Sequence, residues 1–118
     1  MSQERRLRKR VNLTVYLAAT NATNDTLMGR IIDINAAGFL LLTESDFTLG
    51  SEYSINISLP EDIHGQSLIN CIAVSCRITQ SANPSFKEVG FDMVYASLGT
   101  KKIIEIIQEK WKLNFPEV

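Results

Sequence analysis

Leu68-Ile69-Asn70-Cys71-Ile72-Ala73-Val74-Ser75-Cys76-Arg77-Ile78 is the run whose period decides the fold class. In an extended chain Leu68, Asn70, Ile72, Val74, Cys76 and Ile78 face one way, and Ile69, Cys71, Ala73, Ser75 and Arg77 the other. The run is one long strand, the fifth of six. Before it, Tyr53, Ile55, Ile57 and Leu59 alternate up to Pro60, which is expected to end the fourth strand and open a loop to Gln66. After it, Ala82-Asn83-Pro84 turns the chain into a sixth strand of Val89, Phe91, Met93 and Tyr95, with Gly90 allowing close backbone approach or a bulge.

The first half of the chain has the same grammar. Val11, Leu13, Val15 and Leu17 alternate with Asn12, Thr14 and Tyr16, and the polar stretch Thr20 to Asp25 reads as a turn. Leu27 to Ile34 and Phe39 to Leu42 are two further strands. They are joined by Asp33-Ile34-Asn35-Ala36-Ala37-Gly38, a tight connection in which Gly38 is expected to supply a positive φ. Leu49-Gly50 punctuates the step to the fourth strand. Six short strands with polar turns define a small antiparallel barrel or sandwich. The period then changes: Ile103, Ile104, Ile107 and Trp111 form a helical stripe over about 98–113, capped by Ser97 or Thr100 and packed on one end or side of the sheet. Tyr95 and Trp111 are expected in the core.

With 118 residues, 45% hydrophobic and 21% charged, the chain fits a single domain that buries a core without metal or disulfide staples. Cys71 and Cys76 lie on opposite faces of one strand, roughly 16 Å apart, too far for a disulfide, and read as one core and one surface thiol. No apolar window is long enough to span a membrane and no secretory signal opens the chain, so a cytoplasmic location without membrane insertion is expected.

Charge is unevenly placed. Glu4-Arg5-Arg6-Leu7-Arg8-Lys9-Arg10 holds five of the 12 Lys and Arg residues, so residues 1–10 carry +4 and residues 11–118 carry −5 of the net −1. The expected organisation is a flexible basic arm, 1–10, ahead of a folded body, 11–118. A general nucleic-acid binder spreads positive charge over a face and has a high pI; here the pI is near 5.8, so neither DNA nor RNA is the expected partner. A small, local anion suits the pattern better.

Enzymatic chemistry has little to draw on. His64 is the only histidine, in a polar loop with no metal-ligand spacing around it, and Glu61-Asp62 reads as solvated surface charge. No Gly-rich phosphate loop or nucleophile elbow is present. No catalytic residue, metal or cofactor is assigned. Binding chemistry is more specific: Arg6 and Arg10 present planar forks for a phosphate or the O6/N7 edge of guanine, and Asp33 accepts from the N1–H and N2–H of a guanine's Watson–Crick edge.

Arg6-x-x-x-Arg10 followed by Asp33-x-Asn35-x-x-Gly38 resembles the two-part signature of the PilZ domain family, RxxxR and then [D/N]xSxxG. The run Gly38-Phe39-Leu40-Leu41, the strand end Leu59-Pro60, the segment Val89-Gly90-Phe91 and a closing helix are also similar to that family. The resemblance implies a six-stranded antiparallel β-barrel with one C-terminal helix and a non-enzymatic bacterial receptor for cyclic di-GMP. It implies ligand contacts from Arg5, Arg6, Arg10, Asp33, Asn35 and Gly38, with an arm that orders on binding and signals to a downstream protein. Asn35 stands where the family has Ser, and its amide keeps both a donor and an acceptor. Arg5 resembles the arginine of members that take an intercalated ligand dimer. The alternative is a PilZ-like interaction adaptor that does not bind nucleotide.

Overall fold

The computed structural model describes residues 11–111, the side chains of Val11, Asn12 and Thr14 excepted. Six strands follow one another: β1 (Val11–Asn21), β2 (Leu27–Asn35), β3 (Gly38–Thr43), β4 (Glu52–Ile63), β5 (Gln66–Gln80) and β6 (Lys87–Tyr95). They close into an antiparallel barrel in the order β1-β2-β3-β6-β5-β4, and one helix, α1 (Leu98–Trp111), completes the described chain. The expected fold class is the observed one.

Alternation decides which residues enter the barrel. Ile34, Phe39, Phe91 and Ser75 are cross-strand partners in one inward row, and Ile31, Leu41, Val89 and Ile78 in the next. The Phe39 and Phe91 rings stack with centroids 5.1 Å apart, while Phe47 and Tyr53 meet Phe91 edge-on. Fully burying one such ring stabilises the fold by about 1.5–3 kcal/mol. Ser97 Oγ accepts from Thr100 N at 3.1 Å and caps α1, which packs against β1, β2 and β5 and sends Ile103, Ile104 and Ile107 into the same core.

Four expectations need correction. Pro60 does not end β4, which runs on to Ile63 and turns through His64 and Gly65, both at positive φ (51° and 79°) as a two-residue hairpin of the I′ kind demands. Proline is tolerated because the β4–β5 pairing breaks register between Ser58 and Ile63, so no ladder partner is asked of residue 60. Glu61 therefore lies on a strand, where it forms an ion pair with Lys110 of α1. Tyr95 is not core: it ends β6 at 62% exposure, whereas Trp111 packs half-buried against the core. Gly38 does not adopt a positive φ. Arg77, finally, does not share a face with Ser75, because the β5–β6 register shifts between Ser75 and Arg77 and leaves Cys76 as the extra residue of a bulge.

Ser75 is 1% exposed and polar, and its place is explained by what it holds. Its Oγ donates to Thr48 O at 2.6 Å and accepts from Ser51 N at 3.2 Å. Its own carbonyl accepts from Gly50 N at 2.7 Å. The β3–β4 connection is thus sewn to β5 immediately before the bulge. Replacing Ser75 by Ala removes both side-chain hydrogen bonds to these part-buried backbone groups and should cost about 1–3 kcal/mol for the two together, read as a lower urea midpoint at unchanged slope. Burial also pushes the Cys71 thiol up to about 12, whereas Cys76 is exposed. Brief alkylation of the native chain should therefore modify Cys76 and spare Cys71, as peptide mapping by mass spectrometry would show.

Candidate functional site

Asp33 and Asn35 lie two residues apart on β2 and face away from Ile34, which is fully buried. Simple alternation from the buried Ile31 would turn Asp33 inward. The β2–β3 register shifts between Ile31 and Asp33, leaving Ile32 without a β3 partner, and this bulge turns Asp33 away from the core side; the residue is half-buried, with its Oδ1 covered. Bulges at binding sites commonly re-aim a side chain in this way.

The turn after Asp33 is built by Asn35. Its Oδ1 accepts from Ala37 N at 2.7 Å and Gly38 N at 3.0 Å, so the side chain closes the β2–β3 hairpin on itself, and only 6% of the residue is exposed. Neither Ala36 nor Ala37 has a positive φ, which excludes types I′, II and II′ and fits the type I pattern of Asn first and Gly fourth. Glycine at 38 answers to a close approach: a Cβ there would lie 2.2 Å from Phe91 O of β6. Ala37 O also accepts from Met93 N at 2.8 Å, so β6 grips the turn from its far side. Gln108 Nε2 of α1 donates to Ile34 O at 3.0 Å, linking the helix to the backbone between Asp33 and Asn35.

Strand pairing brings the start of β1 to this place. Val11 is opposite Ile34 and Asn12 opposite Asp33. Arg5, Arg6 and Arg10 lie outside the described residues. Of the nominated residues, the structure brings Asp33, Asn35 and Gly38 together on one hairpin. His64 lies on a different hairpin, the β4–β5 turn, beside Glu105 and Glu109 of α1, and no group of His, Cys, Asp or Glu suited to a metal occurs among the described residues. A cleft of about 370 Å³ lies at the opposite end of β2, lined by Met28, Gly29, Arg30, Thr43 and Phe86, and none of the nominated residues contributes to it.

Two charged residues passed over in the sequence share the outer face with Asp33. Asp92 is the β6 partner of Gly38, and Arg77 is the β5 partner of Gly90, which pairs in turn with Leu40, the partner of Asp33. A signal for Arg77 exists in the sequence only indirectly, as an arginine that strict alternation would bury among Cys71, Ala73 and Ser75.

A closed six-stranded barrel with this hairpin and a C-terminal helix is the fold of a PilZ domain. The PilZ domain of YcgR from Escherichia coli, a structure with c-di-GMP, superposes with a TM-score of 0.64 over 90% of this chain and 92% of that one, at 17% identity. The Bacillus subtilis inhibitor of motility MotI/DgrA superposes with a TM-score of 0.70 at 17% identity over 87% of this chain, which spans about half (49%) of that protein. No protein-family model and no curated protein matches the chain. No helix among the described residues is long and apolar enough to cross a membrane.

Because the obstacle to a side chain at 38 is backbone, Gly38→Ala should lower the thermal midpoint by roughly 5–15 °C, from about 1–3 kcal/mol of lost stability. Asn35→Ser keeps a turn-capping acceptor and should cost less than Asn35→Ala, as paired thermal melts would show.

Proposed function

We propose that the protein is a receptor for cyclic di-GMP. Arg6 and Arg10 grip phosphate and guanine edges, Asp33 accepts from the Watson–Crick edge of a guanine, and the Asn35–Gly38 turn holds the backbone against which the ligand lies. Arg5 supplies a further guanidinium that can stack on a second base. The observation that supports this reading is the β1–β2 register, in which Val11 and Asn12, the residues that follow Arg10 in the chain, pair with Ile34 and Asp33 of the hairpin that carries Asp33 and Asn35. Likeness of fold to the c-di-GMP-bound YcgR domain supports it.

The output is a change of surface. A basic arm attached at Val11 is drawn by the bound phosphates onto an acidic body, and a downstream protein reads the ordered arm. Charge-assisted hydrogen bonds are each worth about 1.5–3 kcal/mol, so Arg6→Ala or Arg10→Ala should weaken binding about tenfold to a hundredfold or more in calorimetry. Unchanged affinity in both variants sinks the proposal. A second reading, an interaction adaptor that takes no nucleotide, is favoured by one feature: the Asn35 oxygen already serves its own turn. Under that reading the amide resonances of Gly38 and its neighbours stay fixed when cyclic di-GMP is added; under the first they move.

A further inference from the structure

Five cross-strand rows run over β2, β3, β6 and β5, and they alternate in direction. Inward rows begin at Ile34 and Ile31; outward rows begin at Asn35, Asp33 and Arg30. The middle outward row reads Asp33, Leu40, Gly90, Arg77, and a bulge adjoins it at each end, at Ile32 and at Cys76. Both charged ends are outward only because of those bulges, since alternation from Ile31 and from Ser75 would turn each of them into the core. A bulge costs ladder pairing, and two at the ends of one row place an acid and an arginine across a common floor.

That floor is low. Leu40 is half-buried and Gly90 has no side chain. A Cβ at residue 90 would lie 3.7 Å from Arg77 Cβ and 3.8 Å from Arg77 Nη2, so the exposed guanidinium lies over Gly90 of β6. The two ends are three strand spacings apart, about 14 Å along the sheet, and the position over Gly90 leaves roughly 10 Å between guanidinium and β2. One purine ring with a hydrogen bond on either side fills such a gap. Arg77 is exposed and makes no hydrogen bond or ion pair among the described residues, and Asp92, its diagonal neighbour, does not pair with it. Its side chain serves no evident structural purpose where it lies.

We infer that Arg77 sets the base specificity of the proposed nucleotide site, its guanidinium donating to the O6 and N7 acceptors of the guanine whose N1–H and N2–H edge Asp33 accepts. This rests on the receptor reading above and extends it to the far side of the sheet. The planar fork matches O6 and N7 together, whereas adenine presents an amino donor where guanine has O6 and is repelled. Leu40 and Gly90 provide the apolar surface on which the base lies.

Titration of the full chain with cyclic di-GMP and with cyclic di-AMP tests this, using the unaltered protein, Arg77→Ala and Arg77→Lys, with thermal midpoints as a check on folding. Arg77→Ala should leave the midpoint unchanged, weaken cyclic di-GMP binding about tenfold to a hundredfold and narrow the preference over cyclic di-AMP. Arg77→Lys keeps the charge without the fork and should recover little of either. Unaltered affinity and preference in Arg77→Ala overturns the inference alone, as does full recovery by lysine, which would reduce Arg77 to a general cation. Absence of cyclic di-GMP binding by the unaltered chain overturns the receptor reading and this inference with it.

Discussion

Closure of the sheet is the constraint on which the other features depend. In a ring of six strands every strand is paired on both sides, so side-chain direction is fixed by register, and a residue changes face only where a neighbour is skipped. The chain skips Ile32 and Cys76. Each bulge removes a ladder contact, at a net cost of about 0.5–1.5 kcal/mol per lost hydrogen bond. The inward rows absorb that cost: Phe39 and Phe91 still stack directly beneath the surface on which Asp33 and Arg77 emerge. A rigid aromatic layer thus supports the polar face from below, and the hydrogen bonds of Ser75 anchor the adjoining connection next to one of the two bulges.

The β2–β3 hairpin carries two requirements on the same few residues. Asn35 satisfies the backbone of its own turn, and Gly38 permits β3 to press against β6. Both would be needed if no ligand ever bound. Serine, asparagine and aspartate all suit the first position of a type I turn, so asparagine in place of serine preserves the local geometry while changing what remains of the side chain to offer a ligand. The amide is bulkier than a hydroxyl but has two donors besides its acceptor, and its oxygen is the part the turn consumes.

Much of the fold was legible in the sequence because its signals are local: apolar alternation in β1, β5 and β6, polar turns, and a change of period at α1. What failed were features set by tertiary pairing. Pro60 reads as a terminator unless one knows that its stretch of β4 is skipped by the ladder, and Tyr95 reads as core because alternation does not say where a barrel ends. Gly38 was expected to relieve a turn, yet it is required by β6, more than fifty residues away in sequence. At the candidate site Asp33, Asn35 and Gly38 are nominated by the resemblance of their pattern to the PilZ signature, and their meeting on one hairpin follows from the β2–β3 pairing. The position of Arg77 is signalled only indirectly, by the improbability of an arginine on the inward face, because the bulge that re-aims it is set by pairing with β6.

Closure has one further effect. An open sheet offers its edge as a template on which a partner can lay down an additional strand through main-chain hydrogen bonds. Here β2, β3 and β6 are laddered to a neighbour on both sides, so that mode of recognition is closed to a protein that approaches this part of the barrel wall. Whatever docks there must read side-chain shape and charge. Such contacts are sequence-specific and readily retuned by substitution, and they leave the hydrogen-bonded scaffold untouched.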